Sequence, residues 1–132
     1  MKAVLDASAL MAYVFGEVGA ERIEQAFAQG AVMHIVNWTE VLSKCAERGI
    51  DPEAVELDLT RQGIIGQTLS LATFSQKDPV HIARLRPLTR ALGLGLGDRA
   101  CLVLGERLGV PILTTDKIWS TIPLNVPVEI IR

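Results

Sequence analysis

Two rhythms of apolar and polar positions take turns along this chain. Short, nearly unbroken apolar runs at residues 2–5, 32–36, 68–73, 110–114 and 126–131 have the length of strands. The stretches between them carry a helical period. Residues 7–15 are apolar and stop near Gly16. Residues 17–29 place Ala20, Ile23, Ala26 and Phe27 on one face and end at Gly30, a residue that commonly terminates helices. Residues 38–48 repeat the pattern with Trp38, Val41, Leu42 and Cys45, and Gly49 closes the run.

Punctuation predicts the remaining helices. Asp51-Pro52 opens one, since Asp caps and proline suits the first turn, where its missing N–H costs nothing. Gly63 to Gly66 closes it. Asp78-Pro79 repeats the signal, and Pro87 predicts a break near Arg86. Gly93, Gly95 and Gly97 form a flexible joint. Residues 98–108 are apolar on most faces and read as a buried helix ending at Gly109.

Alternating strands and helices predict an α/β fold with three α/β/α layers and a central, mostly parallel sheet of about five strands. The continuous apolar run at 110–114 fits a strand covered on both faces. A chain of 132 residues fits one domain, 1–132. In such sheets, sites form outside the carboxyl ends of the strands at a topological switch point. Asp6 follows the first predicted strand and Asp116 the fourth, so both fall where a site belongs.

Composition narrows the chemistry. The chain is 49% hydrophobic with net charge -2, so it has a substantial core and no bulk basic field. Any phosphate binding then needs a local basic patch or bound metal ions. Cys45 and Cys101 lie among apolar residues, form no zinc pattern with the histidines, and read as packed thiols in a reducing cytoplasm. Asp6 interrupts the N-terminal apolar run, which argues against an export signal, and no apolar run is long enough to span a membrane.

Four carboxylates stand out. Taken singly, each has a structural explanation. Asp6 can cap the helix at Ala7. Glu40 can close a capping box with Asn37 and pair with Lys44 one turn on. Asp98 suits a helix N-terminus, and Asp116 can serve as a cap at the end of the fourth strand. Taken together, they come from distant segments, and at least two must meet at neighbouring strand ends. Carboxylates gathered in a partly buried site repel one another, and Mg²⁺ or Mn²⁺, hard ions with oxygen ligands, removes that conflict.

The ordered set V-L-D6-A-S8, isolated Glu40, L-G-L-G-D98-R-A-C-L and P-I-L-T114-T-D116, with Trp119 shortly after, resembles a PIN domain of the size seen in VapC-type ribonuclease toxins. The resemblance implies a Mg²⁺- or Mn²⁺-dependent endoribonuclease using one or two ions. It implies catalytic and metal-binding roles for Asp6, Glu40, Asp98 and Asp116, with Ser8 and Thr114 supporting them. It also implies a homodimer held in check by an antitoxin protein.

Other readings stay in view. Arg84, Arg86, Arg90 and Arg99 occupy a stretch poor in acids and are candidates for contacting RNA phosphates, although a solvated helix face is the simpler account of them. His34 and His81 sit among apolar residues and read as structural rather than as proton-transfer groups. An inert PIN-like module whose acidic pocket grips a basic peptide is the alternative function. A phosphotransferase of the haloacid-dehalogenase type would need a second acid where Ser8 stands.

Overall fold

The computed structural model describes residues 2–132. The strands are β1 (Ala3–Leu5), β2 (Ala31–His34), β3 (Leu69–Ala72), β4 (Ile112–Thr114) and β5 (Val128–Ile130). The helices are α1 (Ala7–Val14), α2 (Ala20–Gln29), α3 (Ile35–Glu47), α4 (Pro52–Arg61), α5 (Asp78–Thr89) and α6 (Leu96–Leu108), with 3₁₀ turns at Arg90–Leu92 and Lys117–Thr121. The strands pair in the order β3-β2-β1-β4-β5, and every pairing is parallel. The fold is therefore the expected α/β/α sandwich.

Strand periodicity sorts the core into two layers. Ala3, Leu5, Ala31, Met33, Leu69 and Leu113 face one side and pack against residues of α1 to α4 such as Leu10, Ile23, Trp38, Val41 and Leu59. Val4, Val32 and Ile112 alternate to the other side, against Cys101, Leu102 and Leu104 of α6 and against Trp119. Both cysteines are buried free thiols within these layers. The α6 layer approaches the sheet closely: a Cβ on Gly105 would collide with Ile112 Cγ1. Gly105→Ala is expected to cost about 1–3 kcal/mol by overpacking, read as a lower urea midpoint at unchanged slope.

Several boundaries differ from the sequence reading, for local reasons. Helix α2 starts at Ala20 because Gly19 takes φ 104°, a conformation only glycine adopts easily. Helix α3 starts at Ile35 rather than 38, since the His34 ring, not Asn37, caps it: Val36 N–H donates to His34 Nδ1 at 3.1 Å. Asp51 caps α4 with Pro52 in the first turn, as predicted. The cap position of α5 is Lys77, and Asp78 is buried in the first turn, accepting from Ser75 N–H at 2.9 Å. Pro87 does not break α5, which runs on to Thr89. Proline deprives only the Ala83 carbonyl of its partner, and Ala83 is exposed, so water can satisfy it. Ile82, Leu85 and Thr89 meanwhile keep the other face of α5 packed or buried.

Chain order places a switch point between β1 and β4. From β1 the chain runs outward through β2 and β3, then returns to put β4 on the opposite side of β1. Leu5 pairs with Leu113 at the carboxyl ends of these two strands, so the residues just beyond them open onto a shared crevice.

Candidate active site

Asp6 leaves β1 as the N-cap of α1, with Ala9 N–H donating to its Oδ1 at 2.8 Å. The capping explanation is thus correct and incomplete. The Ser8 hydroxyl donates to both carboxylate oxygens, at 2.7 and 2.9 Å, and the Thr114 hydroxyl donates to Oδ2 at 2.5 Å across from β4. Those hydroxyls are themselves oriented. Thr115 N–H donates to Ser8 Oγ, and Asp116 N–H donates to Thr114 Oγ1, both at 3.0 Å. Each backbone donor turns a hydroxyl proton toward Asp6, so the start of α1 and the end of β4 are tied through one carboxylate. Burial outweighs these donors and pushes the Asp6 carboxyl up to about 6.

Asp98 enters from the first turn of α6, where it accepts from Gly95 N–H at 3.0 Å. Its carboxyl is raised by burial first, then by the nearby charge of Asp116. Asp98 in turn raises Asp6 and Glu40, so it is the common neighbour of the acidic group. Asp116 is exposed, and its Oδ1 accepts from Ile118 N–H as the cap of the second 3₁₀ turn.

Glu40 lies on α3, one turn beyond Asn37. The buried Asn37 amide donates to Glu40 Oε1 at 3.0 Å and to the Gly97 carbonyl at 2.9 Å, clamping α3 to the start of α6. Asn37 is therefore a positioning residue for Glu40 rather than the expected cap. The glycine joint also resolves into separate tasks. Gly93 adopts positive φ after the 3₁₀ turn, whereas Gly97 yields space, because a Cβ there would meet Glu40 Oε1. Burial is the main cause that raises the Glu40 carboxyl.

All four predicted acids line one cleft of about 450 Å³, together with Ser8, Lys44, Glu47, Arg48, Trp119 and Arg132. Cys101 lies beneath it, its thiol held well above the ordinary range by burial and by Asp6, Asp98 and Glu40 above it. None of the predicted arginines lines this cleft, though the charge of Arg99 acts on Asp98. Arg84 lines a separate hollow with Lys77, His81 and Arg107. Arg99 donates to the Ile82 and Gly95 carbonyls, and Arg86 and Arg90 are exposed outside the acidic cleft. Sequence reasoning missed Lys44, Arg48 and Arg132 as its cations. The Glu40–Lys44–Arg48 spacing was a readable signal for two of them, and Arg132 had none.

The donor set is all oxygen. Among the described residues, no three His, Cys, Asp or Glu side chains are placed to enclose an ion by direct ligation alone. A cluster in which burial and neighbouring charge raise the Asp6, Glu40 and Asp98 carboxyls, without a closed cage, fits a hard cation that keeps waters and takes substrate oxygens, the habit of Mg²⁺.

The PIN domain profile matches residues 3–124, and the chain belongs to the PIN domain family. Its fold is similar to that of solved chains from toxin–antitoxin complexes. In the VapBC2 complex of Rickettsia felis bound to a promoter DNA fragment, the TM-score is 0.74 at 15% identity, covering 98% of both chains. In a toxin–antitoxin complex from Klebsiella pneumoniae it is 0.71 at 19% identity, covering 94% of both. In DNA-bound VapBC from Salmonella typhimurium it is 0.70 at 16% identity, covering 98% of this chain and 97% of the other. Comparison with curated protein sequences gives no match.

Proposed function

We propose that this PIN domain is a metal-dependent endoribonuclease and the toxin of a type II toxin–antitoxin pair. The observation that carries the reading is the convergence of Asp6, Glu40, Asp98 and Asp116 on one cleft at the β1/β4 switch point. The similar solved chains come from complexes with antitoxins, which supports an antitoxin partner, and a homodimer is part of the same reading. No helix among the described residues is long and apolar enough to cross a membrane.

Asp6, Asp98 and Asp116 are assigned as ligands of one or two Mg²⁺ or Mn²⁺ ions, with Glu40 contributing through water. The bound ion would supply a water of lowered pKa and offset charge on the phosphoryl oxygens. The protein's own work is positional. Ser8 and Thr114 hold the Asp6 carboxylate in one orientation by donating to it. Asn37 holds Oε1 of Glu40, leaving Oε2 to accept a proton from the attacking water. The raised carboxyl of Glu40 suits that step better than an ordinary surface glutamate would. Attack by water on phosphorus, with the P–O3′ bond breaking and the 3′-oxygen leaving as a hydroxyl, leaves a 5′-phosphate on one product and a 3′-hydroxyl on the other.

The open, cage-free arrangement is also what a peptide-gripping module would present. One experiment separates the two. Purified protein is incubated with total RNA in Mn²⁺ or in EDTA, and product ends are mapped. The nuclease reading expects 5′-phosphate fragments in Mn²⁺ alone. Cleavage that survives chelation, or intact RNA under both conditions, would refute it.

A further inference from the structure

Helix α3 presents Glu40, Lys44 and Arg48 to the acidic cleft at intervals of four residues, with Arg48 at the helix's C-cap. Four residues of α-helix advance about 6 Å. Successive phosphates of an extended nucleic-acid strand are spaced similarly. We propose that this face of α3 is a phosphate ruler: the scissile phosphate lies beside Glu40, and Lys44 and Arg48 each take one of the next two phosphates of a single RNA strand. The proposal rests on the nuclease reading of the same cleft.

Further observations support it. Lys44 follows Glu40 by one helical turn and lines the acidic cleft and the hollow beside it together with Glu40, so the first cation sits beside the reacting end. The Arg48 guanidinium is held 4.0 Å from the centre of the Phe15 ring, which restricts it without using its N–H donors. Arg132, the other cation of the cleft, is partly engaged, 3.5 Å from Glu17 Oε1 and 3.4 Å from the Val18 carbonyl. A net charge of -2 makes such local cations the means by which an acidic protein holds RNA.

The test measures binding of a fluorescent ten-nucleotide single-stranded RNA across a salt series, in a cleavage-blocked Asp98→Asn background. Lys44→Gln and Arg48→Gln are each expected to weaken binding about three- to tenfold. Each should also reduce the slope of log affinity against log salt by about 0.7, the value for one lost single-strand phosphate contact. Lys44→Arg should restore the slope, and Arg61→Gln, an exposed residue of α4 outside the cleft, should leave it unchanged. In the otherwise native protein with Mn²⁺, the Gln variants should raise KM far more than they lower kcat. Normal RNA cleavage with unchanged slopes overturns the ruler and leaves the nuclease standing. Absence of both RNA cleavage and RNA binding by the native chain overturns both.

Discussion

Asp6→Asn is expected to reduce RNA cleavage by about 10³-fold or more and, in EDTA, to make the protein more stable at pH 7.5. The loss of cleavage follows from removing a proposed metal ligand, and the gain in stability from removing a buried charge. Burial raises the Asp6 carboxyl from 3.8 to about 6 in the folded chain. Between those pH values the folded protein keeps a proton that the unfolded chain releases, so stability falls as pH rises through the window. Above about pH 6 the penalty is complete and amounts to about 3 kcal/mol. Asparagine carries no charge and can still accept from Ala9 N–H, but it serves the Ser8 and Thr114 hydroxyls less well. The net gain is therefore smaller, about 1–2 kcal/mol. Urea unfolding of both proteins at pH 4.5, 6 and 7.5 checks this. Relative to native protein, the variant should gain stability from pH 4.5 to 6 and hold that advantage at 7.5. Mg²⁺ should stabilise the native protein at pH 7.5 and leave the variant nearly unmoved. Equal stabilities at pH 7.5 in EDTA would show that Asp6 carries no burial penalty.

Gly97→Ala is expected to lower kcat by about 10²-fold while the chain stays folded, a loss comparable to misplacing a catalytic group by an ångström. The added methyl would collide with Glu40 Oε1. The carboxylate is the free end of a flexible side chain, so it moves and the helix does not. Movement pulls Glu40 from Asn37, whose amide bridges Glu40 and the Gly97 carbonyl. If displacement of Glu40 is the whole effect, Gly97→Ala adds little to Glu40→Gln, and the double variant is clearly less than additive. Full additivity, or wild-type kcat for Gly97→Ala, would remove Gly97 and Glu40 from a shared role.

Reading the chain by pattern succeeded where the signal was local and repeated. The apolar run at 110–114 announced the strand β4, buried on both faces, and Asp51-Pro52 announced a helix start. It failed where a distant contact replaced a nearby one. Asn37 has the sequence of a cap, yet the His34 ring takes that task and frees the amide to reach Gly97, sixty residues away. Pro87 signals a stop that exposure of Ala83 makes tolerable.

The candidate site divides the same way. The four acids were legible as a set of strand-end and helix-start carboxylates, and all four line the cleft. The basic stretch around Arg84, Arg86, Arg90 and Arg99 was legible too, but it lies outside that cleft, because composition along the chain carries no direction in space.

Periodicity and punctuation determined the alternation of elements, hence the layered parallel sheet and its strand-end acids, since burial of apolar faces obeys a spacing of two or 3.6 residues. Only the tertiary structure decided that Thr114 donates to Asp6, that Glu40 rests against Gly97, and that Lys44 and Arg48 are the cations of the acidic cleft. These contacts join residues far apart in the chain, and their distances are set by packing of whole helices on the sheet, which no local pattern encodes.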